Sequence, residues 1–319
     1  MTLIDLHDGT IRDVILLSIR YEYLVALITV QRSAMKFFFK TPHLITITFG
    51  LALTSTIYAN AASAPWENLP ELNRDTATYQ SADINGVKIS FSDVGKGAPV
   101  IMLHGGPANS SYLQNQVRAL EVKHRVISID TRGHGRSTLD EKPLSYDLFA
   151  DDVVSLMSKL GIDKADFVGW SDGGITSLDV AMRYPEKVKK VVAFGANVDT
   201  NGVFSDADKK PAFSKFLTRA ANEYQRLSPT PDGFEKLNDK LAKMYATQPD
   251  WTPKQLSTIE APVLVIDGDH DEVIRPEHTK LIASSIKKST LYFIPNTSHF
   301  AFIQAPYAFN KVMLDFLDE

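Results

Sequence analysis

One short segment constrains the fold of this chain more than any other. Residues 169–174 read Gly-Trp-Ser-Asp-Gly-Gly, directly after the apolar run 165–168 and directly before a helical pattern. A serine between a buried strand and a helix lies on a sharp, exposed turn, where larger neighbouring residues would collide with both elements. We therefore predict that Gly169 and Gly173 permit this turn and that Ser171 is presented as a nucleophile.

A serine hydroxyl is a weak nucleophile at neutral pH, so it needs a histidine that takes its proton and a carboxylate that orients the histidine. Residues 263–266 are apolar and rich in β-branched side chains, and they lead into Asp-Gly-Asp-His-Asp at 267–271. A second such run covers residues 290–294, and His299 follows it. Both runs are typical of buried parallel strands. An aspartate and His299 at the ends of these strands can complete a triad with Ser171.

Helical patterns alternate with the apolar runs, from residues 113–122 to a last predicted helix over 301–317. Such alternation predicts an α/β fold in which a parallel sheet is covered by helices on both faces. The segment from about residue 201 to 254 breaks the alternation, because it is helical and rich in charge and contains no strand pattern.

Two further motifs follow strand-like runs: His-Gly-Gly-Pro at 104–107 and Asp-Thr-Arg-Gly-His-Gly-Arg-Ser at 130–137. With the serine motif and the order serine, acid, histidine, they resemble the α/β-hydrolase fold superfamily over roughly residue 87 to the C-terminus. The resemblance implies a serine hydrolase with a mostly parallel central sheet, helices on both faces and a helical cap insertion at about 201–254. It implies no cofactor.

The resemblance also implies roles for individual residues. The backbone N–H groups of Gly106 and Asp172 form the expected oxyanion hole, whose donors stabilise the negative charge on an attacked carbonyl oxygen. In the family pattern the acid stands three residues after the glycine that ends the strand, which selects Asp271. Asp199 is the alternative acid, because some members of the superfamily carry it after the preceding strand.

Other residues of these motifs have less direct interpretations. Two interpretations of Trp170 remain open: it lines the substrate pocket, or it packs beneath the turn. We expect His104 and His134 to support their turns rather than to take part in the chemistry. Arg132 and Arg136 are likewise expected to be structural.

Composition narrows the range of partners. The net charge is −4 without long charged runs, which argues against a nucleic-acid partner. The chain has no glycine-rich signature for a dinucleotide or a nucleoside triphosphate. The aspartates at 267–271 lack the glycine and the glutamate that a calcium loop needs at its sixth and twelfth positions. We therefore expect a small-molecule carbonyl substrate and no metal site.

The N-terminal part of the chain differs from the rest. A basic start, an apolar segment at 44–58 and a small-residue site ending at Ala61 together predict a signal peptide over 35–61. We expect cleavage there, export to the periplasm or the medium, and a mature domain over 62–319. Residues 1–34 are then an upstream extension that the mature protein lacks. The apolar segment is shorter than the roughly 20 residues that a membrane span needs, and the absence of cysteine is compatible with a periplasmic protein.

The sequence thus favours a serine hydrolase of the esterase type, which cleaves a carboxylic ester or lactone through an acyl-enzyme intermediate. The alternative is an aminopeptidase similar to proline iminopeptidases, in which His-Gly-Gly-Pro is prominent. Two departures oppose it: Ala108 stands where a glycine usually follows, and Trp170 precedes the serine instead of following it. Such a peptidase also needs cap carboxylates for the substrate amine, and Glu223 and Asp208 are candidates. A non-catalytic ligand receptor on the same fold is the remaining hypothesis.

Overall fold

The computed structural model describes residues 63–319. The predicted upstream extension and signal peptide lie outside the described residues, so both stay predictions, as does export. Within the described part of the chain, no helix combines the length and the apolar character that a membrane crossing requires.

Eight strands form a single sheet. They are β1 (Tyr79–Ile84), β2 (Val87–Gly95), β3 (Ala98–Leu103), β4 (His124–Asp130), β5 (Ala165–Trp170), β6 (Val188–Phe194), β7 (Val263–Gly268) and β8 (Ser289–Ile294). Their order in the sheet is β1-β2-β4-β3-β5-β6-β7-β8. The pairs β1–β2 and β2–β4 are antiparallel, and every other neighbouring pair is parallel. The mostly parallel sheet predicted from the sequence is therefore confirmed.

Nine α-helices accompany the strands within residues 63–319. They are α1 (Gln114–Leu120), α2 (Tyr146–Lys159), α3 (Asp172–Arg183), α4 (Pro211–Leu227), α5 (Phe234–Tyr245), α6 (Pro253–Leu256), α7 (Pro276–Ser285), α8 (Ala301–Gln304) and α9 (Pro306–Asp318). The prediction of one continuous helix over 301–317 is wrong. Ala305 leaves the helical conformation, with φ of −132°, and Pro306 begins the next helix. Proline has no N–H for the hydrogen bond that would continue α8.

Each strand of the central sheet contributes side chains to both faces, as strand β3 shows. Val100 and Met102 pack with residues of α1 and α9 on one face. Ile101 and Leu103 pack with residues of α2 and α3 on the other. Because successive side chains in a strand point to opposite faces, a strand covered on both sides needs an apolar residue at every position. This is why the strands could be recognised as continuous apolar runs.

The segment at 201–254 lies between β6 and β7 in the chain and carries α4 and α5. Within it, the only strand-type pairing is by isolated bridges, Asp199 with Asp250 and Val203 with Ile274. Residues of α4 and α5 line a cavity that Ser171 also lines. Residues 201–254, called the cap segment below, therefore help to shape the cavity next to the serine.

Candidate active site

Ser171 lies on the sharp turn that its motif predicts. Strand β5 ends immediately before it and α3 begins immediately after it, and its φ of 53° is in the left-handed region. Such a conformation in a residue other than glycine costs energy and is found mainly where function requires it. A side chain at Gly169 would collide with the backbone of Gly173, and one at Gly173 with the carbonyl oxygen of Leu103. Glycine is thus the residue that fits at both positions.

His299 and Asp271 form a buried pair. Nδ1 of His299 donates to Oδ2 of Asp271 at 2.7 Å, and the two side chains are 1% and 3% exposed. The second oxygen of Asp271 accepts the backbone N–H groups of Val273 and Ile274, each at 2.7 Å. Because a carboxylate can only accept, this pairing leaves Nε2 of His299 without a proton and able to take one.

The alternative acid lies elsewhere. Oδ1 of Asp199 accepts the backbone N–H of Asn201 at 2.7 Å and is 3.9 Å from Nε2 of His278. Asp199 therefore lies near His278, whereas Asp271 is the aspartate that is hydrogen-bonded to His299.

Carboxyl groups around His299 favour its charged form. Burial alone lowers the pKa of this imidazole, but Asp271, Glu272 and Asp172 outweigh burial and raise the pKa of His299 above 6.5. The pKa of Asp271 is lowered, because the nearby imidazole and several hydrogen bonds outweigh the effect of burial. Burial and the neighbouring Asp271 hold the pKa of Asp267 well above its ordinary value. The negative charge of the aspartate pair is thus concentrated on Asp271, beside the histidine.

The two predicted oxyanion donors border the same cavity as Ser171. Asp172 is the first residue of α3, where an N–H group has no acceptor within the helix. A side chain at Gly106 would collide with the carboxylate of Asp172 and the hydroxyl of Tyr245. Glycine at position 106 therefore allows its backbone to lie close to the turn.

The side chain of Asp172 has partners that the sequence did not reveal. Its carboxylate accepts the hydroxyl of Tyr146 at 2.8 Å and that of Tyr245 at 2.6 Å. Burial raises the pKa of Asp172, although both hydrogen bonds oppose that rise. Tyr245 is 73 residues from Asp172 in the chain, and no local pattern indicates that the two meet.

Trp170 is buried and is absent from the lining of the cavity beside Ser171, so of its two interpretations the structure favours packing beneath the turn over pocket lining. It is 2% exposed, and its indole N–H donates to the backbone oxygen of His299 at 3.0 Å. As the last residue of β5, it points to the face that α1 and α9 cover. Trp170 thus packs beneath the turn, against the loop that carries His299.

Ser171 Oγ and His299 Nε2 form no hydrogen bond in this structure of residues 63–319. In enzymes without substrate such bonds are often long or poorly aligned, and they tighten when substrate binds. The loop that carries His299 nevertheless reaches from β8 to the end of β6, since a side chain at Gly195 would collide with the ring of His299. The backbone oxygen of His299 also accepts the indole N–H of Trp170, the residue before Ser171.

The cavity beside Ser171 has a volume of about 740 Å³. The cap segment supplies much of its apolar lining, namely Phe213, Leu217, Phe234, Leu241 and Tyr245. Three other apolar cap residues that could have lined it, Phe216, Tyr224 and Leu237, are buried in the core. A larger, more polar cavity of about 1080 Å³ lies between residues 68–79 and α4, but neither the predicted triad nor the two predicted oxyanion donors border it.

The two carboxylates considered for amine binding do not converge. Asp208 borders the cavity beside Ser171, whereas Glu223 borders the larger one. Glu223 accepts a hydrogen bond from the side-chain amide of Asn109 at 3.0 Å. The arrangement therefore lacks the carboxylate pair that the aminopeptidase hypothesis uses.

The remaining motif residues support turns. Nε2 of His104 accepts the backbone N–H of Thr131 at 3.1 Å. Arg132 is fully buried and donates to both oxygens of Asp152, each at 2.7 Å. Within residues 63–319, no three side chains of His, Cys, Asp or Glu converge in a metal-binding arrangement.

The chain is similar in sequence and fold to known proteins. A family model described as "alpha/beta hydrolase fold" matches residues 98–235. The chain is 28% identical to the serine hydrolase BPHL of Homo sapiens over 256 residues, which cover 76% of this chain and 87% of that protein. It is 29% identical to 3-oxoadipate enol-lactonase 2 of Acinetobacter baylyi over 263 residues, 75% of this chain and 95% of the lactonase. The solved structure of the meta-cleavage product hydrolase CumD of Pseudomonas fluorescens matches with a TM-score of 0.65 at 23% identity, covering 75% of this chain and 97% of that one.

Proposed function

The chain belongs to the α/β-hydrolase fold superfamily, and from this premise we propose that it is a serine hydrolase that cleaves a carboxylic ester or lactone. The observation that carries the proposal is the 2.7 Å hydrogen bond between His299 and Asp271, at the sheet edge where the strained turn presents Ser171. The names of two relatives, a serine hydrolase and an enol-lactonase, support the same reaction class.

In the proposed reaction, Ser171 Oγ attacks the carbonyl carbon while Nε2 of His299 accepts the hydroxyl proton. The N–H groups of Gly106 and Asp172 stabilise the oxyanion, and removal of one such donor costs about 3–4 kcal/mol in a serine protease. His299 then donates the proton to the leaving alkoxide, and the acyl group stays on Ser171. A water molecule, deprotonated by His299, then attacks the acyl-enzyme. The acid is released as His299 returns the proton to Ser171 Oγ. Asp271 remains ionised throughout and stabilises the imidazolium.

We expect purified protein to hydrolyse p-nitrophenyl esters and simple lactones but not aminoacyl-naphthylamides. The cavity of about 740 Å³ has room for a small to medium acyl group, which the apolar rings of Phe213 and Phe234 can contact. A panel of these three substrate classes, measured as initial rates, checks the expectation. Turnover of the naphthylamides without turnover of esters or lactones would contradict it and favour the aminopeptidase.

We further expect the site to prefer an uncharged acyl group over an anionic one. The residues lining the cavity include the carboxylates Asp172 and Asp208 and no lysine, arginine or histidine. Burying an unpaired substrate carboxylate beside them is unfavourable. Kinetics with p-nitrophenyl butyrate and the mono-p-nitrophenyl ester of succinic acid, which are similar in length, should differ by about tenfold or more in kcat/KM.

The variant Asp208→Asn tests the cause of this preference. It removes the charge of one of the two carboxylates, and Asp208 is exposed, so the substitution leaves the core intact. The variant should hydrolyse the succinate ester faster than the wild type does, with little change for the butyrate ester. Equal rates for the two esters in the wild-type protein would refute the expected preference.

A further inference from the structure

A second carboxylate, next in the chain to Asp271, also contacts His299. Oε2 of Glu272 accepts the backbone N–H of His299 at 3.1 Å. Asp271 thus holds the ring of His299 while Glu272 holds its backbone. The other oxygen of Glu272, Oε1, is buried and has no hydrogen-bond partner in the described part of the chain.

The groups that face His299 fall into two kinds. The carboxyl groups are Asp271 and Glu272 from the loop after β7 and Asp172 from the start of α3. The other neighbours are aromatic rings, whose centroids lie 5.6 to 6.2 Å from the imidazole; they belong to Trp170, Phe194, Phe213 and Phe300. Aromatic rings do not screen charge as water does, so a carboxylate here acts strongly on the imidazole.

Glu272 and Ser171 border different cavities. With Asp271, Glu272 borders a separate cavity of about 360 Å³, whose lining also includes Lys210 and His270. Neither of these two side chains forms a hydrogen bond with Oε1 of Glu272. Glu272 is absent from the lining of the cavity beside Ser171, so it has no direct contact with a substrate bound there.

From these contacts we propose that Glu272 is a positioning residue of the active site. Its hydrogen bond to the backbone N–H fixes the loop that carries His299, and its negative charge makes the nearby imidazole a stronger base. The inference rests on the proposed function, in which His299 moves the proton. The two contributions are separable, because glutamine retains an acceptor oxygen and loses the charge, whereas alanine loses both.

The test is a pH titration of the His299 imidazole by NMR in the purified protein labelled at histidine, with the signal assigned by its loss in His299→Gln. In the wild type the midpoint should lie above 6.5. A negative charge stabilises the imidazolium, so removing it in Glu272→Gln should move the midpoint to lower pH. Glu277→Gln is the matched control, because Glu277 is an exposed residue of α7, and it should leave the midpoint unchanged.

Kinetics of ester hydrolysis separate the two contributions. In Glu272→Gln the acidic limb of the kcat/KM profile should shift to lower pH, with KM unchanged and kcat on the plateau within about threefold of wild type. Glu272→Ala should lower plateau kcat by about tenfold or more, because misplacement of a catalytic group is costly. If the alanine variant does not fold, the glutamine variant alone decides.

An unchanged His299 midpoint in Glu272→Gln would overturn the proposal. The titration reads the imidazole itself, so it is independent of turnover. A wild-type protein without ester or lactone turnover would count against the proposed function, whatever the titration of Glu272→Gln shows.

Discussion

Ser171→Ala should lower kcat for ester hydrolysis by about 10⁵- to 10⁶-fold, the size of the loss when a serine nucleophile is removed from a comparable triad. Ser171 is the only group on the turn that can form the acyl-enzyme, and its strained φ of 53° places it in the cavity beside Gly106. Single-turnover and steady-state rates on p-nitrophenyl esters measure the loss. Circular dichroism verifies that the variant is folded.

A fluorophosphonate probe tests the same residue without a known substrate. It reacts with an activated hydroxyl beside oxyanion donors, so it should label Ser171 and fail on Ser171→Ala and His299→Ala. Ser205→Ala is the matched control, because Ser205 borders the same cavity but has no predicted role in the chemistry. Mass spectrometry of the peptide containing residues 170–172 locates the adduct.

The outcome also separates the enzyme from the receptor hypothesis. A folded protein that the probe does not label, and that hydrolyses no ester, lactone or peptide substrate, would support a non-catalytic binding role. Labelling of the Ser205→Ala variant together with loss of labelling in Ser171→Ala would support the hydrolase.

Asp271→Asn should lower kcat by up to about 10⁴-fold, as removal of the acid does in a trypsin-type triad. The asparagine oxygen can still accept the N–H groups of Val273 and Ile274, which Asp271 Oδ1 accepts now. Its amide NH₂ then faces Nδ1 of His299, which must become an acceptor. The proton of the neutral imidazole moves to Nε2, and His299 can no longer take the proton of Ser171.

Asp199→Asn is the comparison that decides between the two candidate acids. Asp199 caps a turn and lies against His278, so its replacement should change kcat by less than about threefold. The asparagine variants are compared for kcat, KM and thermal stability. A loss of several orders of magnitude in Asp199→Asn, with Asp271→Asn near wild type, would show that the acid is assigned wrongly.

Much of this protein follows from its sequence alone. Strands β3 to β7 are recognisable because a strand covered on both faces needs apolar residues throughout, and polar or glycine-rich turns end each one. Strand β8 has a similar apolar run, but it is the edge strand of the sheet and half of its residues are exposed. The turn at Ser171 is encoded locally, since Gly169 and Gly173 are the residues that fit against its backbone. The order of Ser171, Asp271 and His299 along the chain indicated the superfamily before any distance was known.

Only the tertiary structure decided which groups meet. Asp199 and Asp271 both follow strands of the sheet, and the packing of their loops determines which of them contacts His299. The surroundings of Trp170 depend on which helices cover its face of β5, and these are α1 and α9. The pairing of Asp172 with Tyr146 and Tyr245, and of Glu272 with the backbone of His299, joins residues far apart in the chain. A local pattern specifies the element on which a residue lies, but contacts between elements depend on how they pack, and no short stretch of sequence contains that information.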